Sequence, residues 1–208
     1  MKRFGLILFT CSAAMIAQSN YPRHNLNLGV GTGLPSGELK NAFEPSFSLG
    51  FEYGYRFLKN FQADIGLDTV FQAARVNEYV DSGWFGYRRI RDYQTFIPFG
   101  GRVILPLSNE RVQLFAGGGG VYARYFEAIS QPNAYIRLAC PYCGSRSGTG
   151  YYGLAGVRFR PFSSPNFYMG GSVRMIRVTT DGDDLGELQI RPSRDRWIIP
   201  RFEIGFSF

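Results

Sequence analysis

The strongest redox signal in the chain is Cys140-Pro141-Tyr142-Cys143. A Cys-x-x-Cys pair cycles between dithiol and disulfide when its first thiolate is stabilised at a helix start inside a βαβ unit. Here the pair runs into Gly144-Ser145-Arg146-Ser147-Gly148, a loop tract without that context. A structural loop disulfide between Cys140 and Cys143 is therefore the expectation. Two cysteines are too few for a zinc site, and no histidine lies nearby.

The remaining chemical candidates have plainer readings. Gly29-Val30-Gly31-Thr32-Gly33 and Gly117 to Gly120 imitate phosphate-cradling loops, which need a helix N-terminus directly after them. Leu34-Pro35-Ser36-Gly37 opens a loop instead, so strand packing accounts for these glycines better. Asp181-Gly182-Asp183-Asp184-Leu185-Gly186-Glu187 fails the EF-hand spacing, because Leu185 takes a ligand position, and reads as a solvated acidic loop. The chain holds a single histidine, His24, just ahead of the first expected strand and therefore at the end opposite the long polar loops. Without another imidazole near those loops, general-base catalysis at neutral pH has no obvious agent. Asp64 and Asp68 share one face, but balancing arginines is the commoner use of such a pair. Arg88, Arg89 and Arg91 lie among Trp84, Phe85, Tyr87 and Tyr93, an arrangement that can stack on bases and hold phosphates. For an exported chain the nearer anion is a lipid head group, and nucleic acid is not expected. No catalytic residue, metal ligand or cofactor is assigned.

Export follows from the first residues. Lys2 and Arg3, the apolar tract Phe4 to Phe9, and the small Ala13, Ala14 and Ala17 give the order of a secretory signal peptide, residues 1–17. A lipoprotein cut before Cys11 would need a longer apolar tract and a smaller residue than Phe9. Residues 18–208 then form one domain. Of the 208 residues 45% are apolar and 19% charged, which argues against disorder, and no apolar run approaches the roughly 18 residues of a spanning helix.

The elements that position these residues are strands. Along Ser46 to Phe57, Phe47, Leu49, Phe51, Tyr53, Tyr55 and Phe57 alternate with Ser46, Ser48, Gly50, Glu52, Gly54 and Arg56. That is the period of two of a strand with one apolar and one polar face. After Leu58-Lys59-Asn60 the rhythm resumes from Phe61 to Phe71, giving a hairpin. It returns at the C-terminus, with Ile198, Pro200, Phe202, Ile204, Phe206 and Phe208 on one face. Weaker copies lie at 25–33, 93–105, 112–126, 150–160 and 167–178, which makes eight strands of the length that crosses a bilayer at a tilt. The connections at 34–45, 73–92, 127–149 and 179–197 are long and polar; those at 58–60, 106–111 and 161–166 are short. Strict alternation of long and short puts all long loops at one end.

Which face points inward is decided by side-chain quality. One face carries aromatics; the other carries glycine and charges of both signs: Glu52, Asp64, Asp68 and Glu203 against Arg56, Arg102, Arg158, Arg174 and Arg201. An eight-stranded barrel is only wide enough inside for side chains. Long charged chains opposite glycines fill it as an ion-pair network, since a buried unpaired charge costs several kcal/mol. The apolar face then meets lipid.

The C-terminal run Phe202, Ile204, Phe206 and Phe208 resembles the last strand of bacterial outer-membrane proteins, where a terminal Phe with alternating apolar residues before it is read by the barrel assembly machinery. The chain from residue 18 onward is similar in pattern to the small eight-stranded group that includes the barrel of outer-membrane protein A and proteins X and W. The resemblance implies an all-β, eight-stranded antiparallel up-and-down transmembrane β-barrel in the outer membrane. Its neighbours would be outer-membrane lipid and lipopolysaccharide, and its state monomeric. The role it suggests is structural or surface-interacting, with long extracellular loops presenting the contact surface. Enzymes of this architecture resemble one another in using a histidine, and His24 lies at the wrong end. Two alternatives stay open: a narrow protein W-like barrel for small apolar ligands, with Phe96, Pro98, Ile104 and Leu154 lining a pocket, and a soluble lipocalin-like ligand-binding barrel.

Overall fold

The computed structural model describes residues 21–73, 79–81, 86–107, 111–129, 140, 143–161, 166–185 and 192–208; the expected signal peptide lies outside them. Among these described residues nine strands follow in chain order: β1 (His24–Ser36), β2 (Ser46–Leu58), β3 (Phe61–Phe71), β4 (Tyr79–Asp81), β5 (Tyr87–Leu107), β6 (Val112–Ile129), β7 (Ser145–Phe159), β8 (Phe167–Gly182) and β9 (Ser193–Ser207). All pairings are antiparallel, each long strand bonds two neighbours, and β3–β5 and β1–β9 complete the ring. The result is a closed eight-stranded barrel, with β4 added to β5 alone above the wall. Closure leaves no long strand with an unpaired edge.

The ends of the chain complete the seam. His24 N donates to Phe208 O at 2.8 Å, and Phe208 N donates to His24 O at 2.9 Å. Both ends of the barrel chain therefore lie with the short turns, opposite the polar connections.

The wall is inverted relative to a soluble barrel. Phe51, Ile65, Leu67, Phe99, Leu105 and Phe202 point outward and are each about half exposed, while Glu52, Asp68, Arg102 and Arg174 point inward and are buried. Glycines make room where neighbours come close. Gly50 faces the Asp68 carboxylate and the Arg201 guanidinium across the lumen, space that a Cβ would take. Gly117 to Gly120 lie in β6, where Gly118 and Gly119 pair with Gly101 and Gly100 of β5. A Cβ at 120 would come within 2.5 Å of the Phe99 ring, which covers this glycine from the outside.

The strands run further than the apolar rhythm predicts. β5 begins at Tyr87 instead of Tyr93, β7 at Ser145 instead of Gly150, and β9 at Ser193 instead of Ile198; β8 continues to Gly182. The long connections are correspondingly shorter than expected. The added turns of ladder carry polar residues outward: Ser147, Thr149, Thr179, Arg194 and Arg196 are all exposed. With polar residues on that face the two-residue contrast disappears, although the backbone pairing continues.

If the outward face meets lipid, Phe51→Arg and Ile65→Arg each cost ~2–4 kcal/mol at mid-depth. Urea unfolding of the refolded barrel in lipid vesicles reads this as an earlier midpoint, and unchanged midpoints for both variants would reverse the facing.

Candidate functional site

The lumen gathers charged side chains from five strands. Glu52 of β2 bridges two guanidiniums: Oε1 accepts from Arg102 of β5 and Oε2 from Arg174 of β8, the latter at 2.5 Å. Arg102 Nε also donates to Asp64 of β3 at 2.6 Å. Arg174 pairs with Asp68, which accepts from Arg201 Nη1 of β9 at 2.5 Å. Arg201 Nη2 reaches Glu203 at 3.1 Å. These side chains are at most 4% exposed. Neutral donors occupy the remaining carboxylate oxygens: Asn27 Nδ2 donates to Glu203 Oε2 at 2.7 Å, and Gln62 Nε2 to Asp64 Oδ1 at 2.5 Å. Aromatic faces back the guanidiniums, with Phe115 5.0 Å from Arg102 and Tyr152 5.1 Å from Arg174.

Seven of the nine residues expected in the lumen network thus meet. Arg56 and Arg158 face inward too but form no ion pair among the described residues. Arg158 lies between the Phe115 and Tyr168 rings at 4.7 and 4.5 Å, and Arg56 stacks on Tyr21 at 5.9 Å. Chemically, the arrangement is a cross-brace. Each central carboxylate is held by at least one guanidinium, which leaves none poised to take a proton from a substrate.

Above the network, toward the polar connections, the lumen changes character, a feature the sequence reading missed. A short 3₁₀ helix, Gly37–Asn41, is followed by Ala42 and Phe43, and Leu39 and Phe43 are buried in the barrel mouth. The Phe43 ring meets Trp197 edge-on at 5.6 Å and Tyr125 at 6.3 Å; Phe96 meets the same two rings. Trp197 Nε1 donates to Tyr125 Oη at 3.0 Å, which satisfies the buried indole. Of the four residues expected to line an apolar pocket, Phe96 belongs to this mouth; buried Leu154 stands level with Arg174, and buried Ile104 lies at the short-turn end, where its N–H donates to Asn60 O at 2.8 Å. Asp195 accepts from Thr180 and Ser193 hydroxyls at 2.6 and 2.7 Å. Phe96 was the one member the sequence pointed inward; for the loop residues the signal was Leu39 and Phe43 spaced by four in a polar segment.

The other candidates are dispersed. Cys140 and Cys143 are disulfide-bonded with Cα atoms 5.3 Å apart, beside the β6–β7 end of the barrel; Pro141 and Tyr142 lie outside the described residues. His24 Nδ1 is 2.8 Å from Tyr53 Oη, and its ring stacks on Phe208 at the short-turn end. Asp181 accepts from Gly182 N and Asp183 from Ser145 N, so both carboxylates cap backbone. No three histidine, cysteine or carboxylate side chains among the described residues are grouped so as to hold a metal ion. Arg88, Arg89 and Arg91 lie on β5 beyond the end of β3, while Trp84 and Phe85 fall outside the described residues. Phe202, Ile204, Phe206 and Phe208 all point outward.

A closed antiparallel eight-stranded ring, a braced polar lumen and an apolar exterior define the class of the small bacterial outer-membrane barrels in fold. No family model and no curated protein sequence matches the chain. Solved structures do match. The attachment invasion locus protein Ail of Yersinia pestis is 12% identical over 90% of this chain and 99% of its own, with a TM-score of 0.53. Neisserial surface protein A is 11% identical over 89% and 97%, at 0.54. The outer membrane protein OprG of Pseudomonas aeruginosa is 11% identical over 90% and 97%, at 0.52. At such identities the likeness is one of fold.

Glu52→Gln removes the charge that holds Arg102 and Arg174 together. The expected loss is about 3–5 kcal/mol of stability, because two buried cations lose a partner. Adding Arg102→Met should restore part of it, and a double-mutant cycle on unfolding midpoints measures the coupling.

Proposed function

We propose that this protein is a non-catalytic outer-membrane barrel, monomeric, whose surface-exposed long loops carry a structural or surface-interaction role. The observation that carries the reading is the inverted wall. A ring of outward aromatics and aliphatics around a buried ion network is stable in lipid and unfavourable in water. Two fold neighbours are by name an attachment invasion protein and a surface protein, which supports a contact role for the loops. The engagement of the lumen carboxylates with arginine supports the absence of catalysis. In this reading residues 1–17 direct export by the Sec route and are removed. Phe202, Ile204, Phe206 and Phe208 present the assembly signal to the barrel assembly machinery, and lipopolysaccharide surrounds the loop end. The Cys140–Cys143 disulfide rigidifies the third long loop. No cofactor or nucleic acid enters.

A second reading, a narrow conduit for small apolar compounds, is favoured by one feature. The β3–β5 ladder is interrupted opposite Pro98 and the β1–β9 ladder opposite Pro200, where proline has no N–H to give. Planar-bilayer conductance and liposome uptake separate the two readings.

Membrane fractionation with electrophoresis before and after boiling tests the first reading. The expected result is an outer-membrane band whose mobility changes on heating, and deletion of Phe208 should lower its yield several-fold. A soluble band with no shift would point to a water-soluble barrel.

A further inference from the structure

Above the apolar belt, the outer wall of β7, β8 and β9 carries a compact polar patch. Arg177 of β8 stands directly opposite Arg196 of β9, and Thr179 opposite Arg194. Thr149 and Tyr151 of β7 pair with Thr179 and Arg177, and Tyr151 Oη accepts from Arg177 Nη1 at 3.2 Å. All these residues face outward and are exposed. Like charges directly opposed across a ladder repel. No carboxylate among the described residues pairs with any of the three arginines. The nearest acid on the outward face of β8, Asp181, accepts from the backbone N–H of Gly182. Three guanidiniums beside three hydroxyls on a tight outer surface call for an external anion, and guanidinium forks match phosphate oxygens.

The wall directly beneath is apolar. Met175 and Ile198, the next outward residues down β8 and β9, lead onto a shallow, open depression of about 790 Å³ between Val173 and Phe202, floored by Gly171, Ala155 and Pro200. Phosphate and sugar chemistry thus stands above acyl-chain chemistry on one continuous face. The end concerned is that of the long connections, away from the paired termini.

We propose that this face binds one phosphorylated glycolipid of the outer leaflet, of the lipid A type, with a phosphate between Arg177 and Arg196, sugar hydroxyls against Thr149, Thr179 and Tyr151, and an acyl chain in the depression. The inference rests on the reading that the long-loop end faces outward from the membrane. A phospholipid brings charge but no sugar, so a hydroxyl-lined site favours the glycolipid.

The test uses the full barrel in detergent, titrated with bis-phosphorylated lipid A, dephosphorylated lipid A, phosphatidylglycerol and inorganic phosphate, with retained lipid measured by native mass spectrometry. The unaltered barrel should hold bis-phosphorylated lipid A at least about tenfold more tightly than the other lipids. Arg177→Gln with Arg196→Gln should erase that preference while the boil-sensitive mobility persists. Val173→Trp, which fills the depression, should weaken both forms of lipid A. Equal binding of phosphatidylglycerol, displacement by millimolar inorganic phosphate alone, unchanged affinity in the double variant, or a barrel dimer covering the face would each overturn the proposal. The comparison of lipids on the unaltered barrel decides even if a variant fails to fold. A barrel that fractionates with the outer membrane yet shows no lipid A preference refutes only the docking, and one that fractionates as soluble refutes the reading beneath it.

Discussion

Burying charge in a narrow tube is the constraint from which the rest of this structure follows. A sheet in lipid must close on itself, because no water is present to satisfy an open edge, and closing eight strands leaves room inside for side chains only. Every second residue of every strand enters that space. In this chain many of those residues are ionised, so each needs a counter-charge within reach or the barrel pays several kcal/mol for it. Glu52 and Asp68 solve this by each binding two guanidiniums, Glu52 from β5 and β8 and Asp68 from the neighbouring β8 and β9. The same contacts make Gly50 necessary, since Arg201 and Asp68 lie over it. Composition, closure and the identity of single glycines thus have one cause.

The network occupies one level of the lumen, and the two ends are finished differently. Toward the short turns, Arg56 and Arg158 are held by aromatic rings and form no ion pair among the described residues. Toward the long connections, Phe43 and Leu39 are folded into the mouth and lean on Phe96, Tyr125 and Trp197. A buried aromatic cluster needs no pairing of charge, so it can be supplied by a loop. The chain uses its least periodic segment to close the end where the wall itself is most polar.

That division explains what the sequence disclosed. The hairpin Ser46 to Phe71 was legible because lipid on one side and charge on the other impose a sharp two-residue contrast. The carboxylates and arginines of the lumen were legible for the same reason, although Arg56 and Arg158 could not be told apart from the paired ones: pairing depends on height along the barrel, which the alternation does not encode. The upper parts of β5, β7, β8 and β9 were illegible as strands because Ser147, Thr179, Arg194 and Arg196 face an aqueous or headgroup layer, where the outer face loses its apolar signature while the ladder runs on. The mouth cluster was legible only at Phe96, because Phe43 reaches partners more than 80 residues away in sequence.

The alternation also acts before any barrel exists. In Ser46 to Phe57 a small or charged residue follows every large apolar one, so nowhere does the unfolded chain offer a run long enough to lodge in a bilayer as a helix. Charges within strands also discourage apolar segments from pairing with one another in water. Replacing the lumen charges by well-packed apolar residues would spare the folded barrel their desolvation cost. It would also turn these alternating strands into continuous apolar runs, the kind of segment that lodges in a bilayer as a helix or pairs with its like in water. Once the barrel is closed, those same charges lie inside the tube, and there they neutralise one another.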